Sequence, residues 1–306
     1  MKIDYRDLRH SVFAVRFVLC IAAAAITPGM SVSGAGAEKE LQKGAAVRHP
    51  AKNLSEAEKA FNRALEFELL GCEGSSGKWF RRAGELGSVS ARCIYLSSTL
   101  SNPSERGTVT QAECAEAYRL AEKSKGTPEG AFAMGLCLSG GVGVERNPES
   151  AAEYFNMAAA SNCTEFLAVS AVVKSQFEKL GRASLMPFQT NGNVNVYQKA
   201  YEAGSPVAAA LWAGFKENSP GASSGDRFKA LYWASDSGSM LANVYLACAH
   251  LGAAFVNDSQ DGSEFRVDVV SARESVYAAI AQGLPRADAD VIFARIKSIE
   301  EKLKEE

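Results

Sequence analysis

One stretch limits the fold more than any other: Gly130–Cys163, GAFAMGLCLSGGVGVERNPESAAEYFNMAAASNC. Ala131, Met134, Leu136 and Leu138 lie on a short apolar helix, which Gly140, Gly141 and Gly143 break. Asn147-Pro148-Glu149 opens a second helix, with proline in the first turn, where its missing N–H costs nothing. That second helix carries Ala151, Ala152, Tyr154, Phe155, Ala158 and Ala159 at three-and-four spacing. Small residues let two helices approach closely, and the aromatics fill the gap to the next pair. A single hairpin of this kind cannot bury both of its faces, so it needs neighbours like itself.

The chain supplies them. Gly87, Gly126, Asn162, Gly204, Gly238 and Gly283 each follow a helical pattern, at spacings of 39, 36, 42, 34 and 45 residues. Glycine or asparagine there suits a left-handed helix end. Four residues before these anchors stand Ala83, Glu122, Ala158, Ala200, Ala234 and Ala279; four after stand Ala91, Gly130, Phe166, Ala208, Ala242 and Ala287. At Gly126 both positions become alanine on shifting by one, to Ala121 and Ala131. Seven before the anchors come Phe80, Phe155, Tyr197, Leu231 and Val276, with Tyr118 one step off. The pattern predicts helix pairs over 56–70 with 76–86, 88–99 with 110–125, 128–138 with 148–161, 164–180 with 194–203, 206–216 with 226–237 and 240–254 with 268–282. The turns within the pairs vary, at Leu100–Thr110, Gly181–Asn195, Glu217–Gly225 and Phe255–Asp268. Variable loops on one edge of a repeat array often carry specificity.

The wording of the third pair resembles the SEL-one-like (Sel1-like) repeat, a branch of the tetratricopeptide-like helix-pair repeats. The matching residues are Ala131, Gly135 and Leu136, then Gly141-Val142-Gly143-Val144, Asn147, Ala151, Tyr154-Phe155 and Ala158-Ala159. Only this pair keeps the family's glycine turn, which makes the chain a divergent member. Periodicity and resemblance together predict an all-α, right-handed α/α solenoid of about six helix-turn-helix repeats over 56–283. Residues 284–306 complete it as a C-terminal capping helix, with Ile292, Ile296, Ile299 and Leu303 as its apolar stripe and charge elsewhere. A coiled-coil partner helix is the sharper alternative for this end, though two heptads are short for one.

The N-terminus has the layout of a secretory signal peptide over 1–37. Lys2, Arg6 and Arg9 precede the apolar run Phe17–Ile26, and Ala35-Gly36-Ala37 offers small residues for cleavage. That run is too short for an ordinary spanning helix of about 20 residues; an uncleaved anchor is the alternative. A polar leader, 38–55, follows. The expectation is an exported chain, periplasmic or extracellular, or lumenal in a eukaryote, with no stable membrane insertion after cleavage. The mature chain would hold 29 Lys+Arg against 33 Asp+Glu, so no basic excess points to nucleic acid. Three sequons begin at Asn53, Asn162 and Asn257 and carry little weight alone.

Residues that could perform chemistry are sparse. Beyond position 37 only His49 and His250 remain, so a Ser–His or Cys–His nucleophile site would have to use one of them. His49 falls in the leader, and His250 reads as a helix-end residue. Cys248 and His250 point to different faces of a helix and make no zinc pair. Asn257, Ser259, Asp261, Gly262 and Asp268 fall at calcium-loop positions, but the first position lacks its acid; a solvated acidic loop is the plainer reading. Gly140–Gly143 is no phosphate loop, since no strand precedes it and no Gly-Lys-Ser/Thr follows. No catalytic residue, metal or cofactor is expected.

Six cysteines remain after residue 37. Some secreted relatives staple each hairpin with a disulfide, and export permits that, but their regular spacing is missing here. Cys137 and Cys163 fall at opposite ends of one hairpin. Cys93 and Cys114 are the better-placed pair for a bridge, about a turn out of register, and the plainer reading makes most of these thiols small core residues.

The expected function is therefore non-enzymatic binding of another protein or peptide, as an adaptor or scaffold, on a concave face and the variable loops. First helices face the concave side in helix-pair solenoids, which selects Arg92, Phe132, Trp212 and Asn243 as candidate contact residues. Two alternatives stand beside this. Cysteine-rich relatives are linked to penicillin binding or slow β-lactam hydrolysis, although Ser175-Gln176-Phe177-Glu178 does not fit a Ser-x-x-Lys site. The other alternative is a secreted effector that docks on host proteins.

Overall fold

Thirteen α-helices, one 3-10 turn and no strand make up the described residues. The computed structural model describes residues 54–102, 104–179, 195–215, 218–251 and 267–305. The expected signal peptide, the leader up to residue 53 with His49, and the calcium-like loop up to residue 266 lie outside them. The helices are α1 Glu56–Leu69, α2 Glu73–Glu85, α3 Val89–Ser101, α4 Gln111–Ser124, α5 Pro128–Gly140, α6 Pro148–Ala160 and α7 Thr164–Lys179. Then follow α8 Val196–Glu202, α9 Pro206–Gly214, α10 Ser224–Asp236, α11 Met240–His250, α12 Val269–Ala281 and α13 Arg286–Glu305. Odd-numbered helices up to α11 open the six pairs. Their ranges follow the periodic reading, except that α11 stops at His250 instead of running to residue 254.

The repeat spacing has a local cause. At five of the six anchors the backbone is left-handed: φ is 108° at Gly87, 52° at Asn162, 95° at Gly204, 87° at Gly238 and 107° at Gly283. After each, the next N–H reaches back to the carbonyl of the alanine four residues before the anchor. Ser88 donates to Ala83, Cys163 to Ala158, Ser205 to Ala200, Ser239 to Ala234 and Leu284 to Ala279, all at 2.9–3.0 Å. This is the Schellman closure, which satisfies carbonyls left open at a helix end. Those five alanines are fully buried. A larger side chain there would push the next pair away from the turn.

Gly126 is the exception, because its φ is not positive. The turn closes instead by Thr127 N donating to Ser124 O at 2.8 Å. Gly130 then lies against that carbonyl, so close that a Cβ on it would fall 1.8 Å from Ser124 O. The alanines shifted by one, Ala121 and Ala131, are the buried ones.

Two compact units result, one over Asn53–Ser205 and one holding Pro206–Glu306. In the first, successive pairs stack, and α7 also touches α1, where Gln176 Nε2 donates to Glu68 O at 3.4 Å. Ser88 Oγ at the head of α3 donates to Glu165 Oε1 at the head of α7, 2.9 Å away. Burial raises the pKa of the Glu165 carboxyl. Ser90 Oγ of α3 likewise donates to Glu129 O of α5, at 3.3 Å. In the second unit α9 packs on α10 and α11, α11 on α12, and α12 on α13. Every residue of α9 is buried, and so is α11 from Met240 to Ala249. Helices apolar on all sides belong in the middle of a layered array. Ala289, Ile292, Ile296 and Ile299 bury one face of α13.

Candidate interaction surface

Burial decides what each expected contact residue does. Phe132 is 1% exposed and packs its ring against Phe166 at 5.5 Å and Phe155 at 6.1 Å. Trp212 is 8% exposed, inside the fully buried α9. Asn243 is 3% exposed, and its amide ties three helices together. It accepts from Ser235 Oγ of α10 at 2.9 Å and donates to Ser239 O at 3.1 Å and to Gln282 Oε1 beyond α12 at 3.0 Å. Arg92 is half-buried and donates through Nη2 to Gly84 O in the last turn of α2, at 3.2 Å. Three of the four are core, because the helices that carry them, α5, α9 and α11, are buried nearly all round where these residues lie. We expect Asn243→Ala to cost about 2 kcal/mol, because the Ser235 hydroxyl and the Gln282 amide lose a buried partner; the denaturant midpoint of unfolding measures it.

Most of the thiols lie in the core. Cys93, Cys114, Cys137, Cys163 and Cys248 are buried, and Cys93 meets Cys137 at 3.4 Å between sulfurs, not Cys114. Cys93 stands eight residues before the end of α3 and Cys114 three after the start of α4. In an antiparallel hairpin that offset separates them by more than a helical turn. Burial pushes the Cys163 and Cys248 thiols up to about 12, which leaves them protonated and poor nucleophiles at neutral pH. His250 Nε2 lies 3.4 Å from Tyr232 Oη. No group of His, Cys, Asp or Glu side chains among the described residues is arranged to hold a metal ion, and no described helix is long and apolar enough to cross a membrane.

Exposed apolar side chains gather on the second helices. Trp79 on α2, Met157 on α6, Tyr232 on α10, and Val270 and Tyr277 on α12 are all open to solvent. Tyr232 and Tyr277 hold the same place in consecutive pairs, six residues before Gly238 and Gly283. One step earlier, Leu231 and Val276 point inward and are fully buried. The helix period then sends each tyrosine toward solvent. The corresponding residues of other pairs include Arg81, Asn156 and Gln198, so an aromatic in this slot is confined to the second unit.

The strongest part of this surface is on α12 and α13. Tyr277 is 57% exposed, with the Phe293 ring 5.3 Å away; the Arg286 guanidinium lies over Phe293 at 5.8 Å. Arg273 and Glu300 pair beside them at 2.7 Å. α12 is fixed at its start by Asp268, whose carboxylate accepts from Val270 N and Ser271 N at 3.0 and 2.9 Å. Burial favours protonation of Asp268, but the bonds from Ser271 and Val270 and the nearby His250 outweigh it and hold its pKa below the usual value. Inward, Ala272, Val276 and Ala279 are fully buried. Sequence reasoning missed this patch because it chose its contact residues from first helices; the outward slot one after each inward residue was the available signal.

An array of antiparallel helix pairs, closed turn by turn and displaying side chains from its second helices, defines the class of helical repeat proteins. Within that class, the Sel1 repeat family matches residues 76–88 and 128–163. The chain thus carries Sel1-like repeat sequence over those residues. No curated protein matches it. Among solved structures it is similar to a Sel1 repeat protein from Oxalobacter formigenes, at 16% identity and a TM-score of 0.42, over 98% of this chain and 91% of that one. Repeats of this family generally mediate protein–protein interaction, and proteins built from them are generally non-enzymatic scaffolds.

Proposed function

We propose that the chain is an exported adaptor that binds another protein or peptide through its second-helix surface and its variable hairpin loops. The observation that carries this reading is the repeated outward tyrosine, Tyr232 and Tyr277, the latter grouped with Phe293 and Arg286. Tyrosine and arginine supply large contact area with a polar end and are enriched where protein interfaces bind most strongly. The signal-like segment 1–37 supports export.

Crosslinking capture with the full chain in extract of the source cells tests the binding. Tyr232→Ser/Tyr277→Ser, at unchanged Tm, is the control. One dominant protein held by the native chain and lost from this variant is the expected result. Retention by both chains would move the contact to the hairpin loops, and retention of nothing above a blank support would overturn the adaptor reading. N-terminal sequencing of the protein recovered from its own cells should begin at Glu38.

A further inference from the structure

Two buried thiols face each other on helices that belong to different pairs. Cys93 lies on α3 and Cys137 on α5, the first helices of successive pairs, which pack directly on one another. Their sulfurs are 3.4 Å apart, and both residues are fully buried in one apolar cluster with Leu96, Met134, Leu138 and Val142. We infer that Cys93 and Cys137 are a disulfide-forming pair that fastens α3 to α5 when the chain meets a small-molecule disulfide oxidant. A disulfide is about 2.0 Å long, so the sulfurs need to close by about 1.4 Å, the scale of a side-chain adjustment.

The chemistry balances as two exchanges. One cysteine thiolate attacks a sulfur of the oxidant and expels the first oxidant thiolate, leaving a mixed disulfide. The other cysteine thiolate then attacks the protein sulfur of that intermediate and expels the second. Two protein thiols are oxidised, one oxidant disulfide is reduced to two thiols, and both protons end on them. The hydrogen bond between the two cysteines, with burial, keeps the Cys93 thiol strongly protonated in the folded chain. The exchange is therefore faster while the chain folds than after the core has closed.

Position gives the bond a purpose that a staple within one hairpin would not have. The residues are 44 apart, and the loop between them contains all of α4 and the turn at Gly126. That is the one anchor without left-handed closure. The bond would hold the two first helices together across it. Cys114 is the internal competitor, since it lies in the same cluster.

Trypsin separates the three candidates: Cys93 falls in peptide 93–106, Cys114 in 107–119 and Cys137 in 126–146. The full chain is refolded with oxidised and reduced glutathione, its remaining thiols are alkylated, and it is digested without reductant. The expected product is 93–106 joined to 126–146, lighter by about 2 Da than the two reduced peptides together. The oxidised chain should melt several degrees above the same chain treated with dithiothreitol. Cys114→Ser should keep both the linked peptide and the melting difference, and Cys93→Ser should lose both. Either peptide joined to 107–119, or both recovered alkylated from the native sequence, would overturn the assignment whatever the variants do.

Discussion

Gly130→Ala should destabilise the first unit by about 3 kcal/mol, at the upper end of what overpacking costs. The added Cβ would sit 1.8 Å from Ser124 O and 2.2 Å from its carbonyl carbon. Backbone on both sides has little room to retreat, because Ser124 O already accepts from Thr127 N at 2.8 Å and Ala131 behind Gly130 is buried. The control lies four residues away. Gly126 has open space around its Cβ position and no positive φ, so Gly126→Ala should be neutral or stabilise by about 0.5 kcal/mol through the unfolded chain. Denaturant midpoints of the two variants are the measurement. Equal midpoints would mean that the α4–α5 junction is not the close contact described.

Phe132→Ala should cost about 4 kcal/mol, the usual scale for deleting a buried phenyl ring. The ring joins Phe155 of α6 to Phe166 of α7, and those two rings also stack at 6.1 Å. Gly135 leaves the space for this cluster, since a Cβ there would lie 2.5 Å from the Phe155 ring. Deleting Phe132 therefore opens a void between the third and fourth pairs. Tyr277→Ser, on an open surface, should change stability by no more than about 0.5 kcal/mol. A large loss of stability in the first variant with retained partner binding per folded molecule would separate the structural role from recognition. Loss of binding at unchanged stability would return Phe132 to the surface role first expected of it.

The contrast between these residues shows what the sequence made legible. The repeat was readable because each joint is local: an alanine, a left-handed residue four later and the N–H after it fall within a few positions. The shift near Gly126 was visible too, and its cause proved to be a different turn. Which side of a helix meets solvent was harder to read. Phe132 and Trp212 were read as lining a groove, yet the runs around them, Gly130–Met134 and Val207–Ala213, are apolar on every side. That is the pattern of a helix covered all round. The Cys93–Cys137 contact was not readable from hairpin register, since it depends on how far one first helix slides along the next. Tyr277 needed only the step from the inward Val276 to the position after it.

The joints have a bearing on how such a chain can change length. Five of them are sealed by atoms that lie almost side by side in the chain, so a whole pair could be gained or lost by duplication or deletion with its seal travelling in the same segment. The joint before α5 is different, because Gly130 is shaped to Ser124 of the preceding pair. A graft of residues 128–163 into another array would leave half of that fit behind. The segment that most resembles its relatives is thus the least portable at its leading edge.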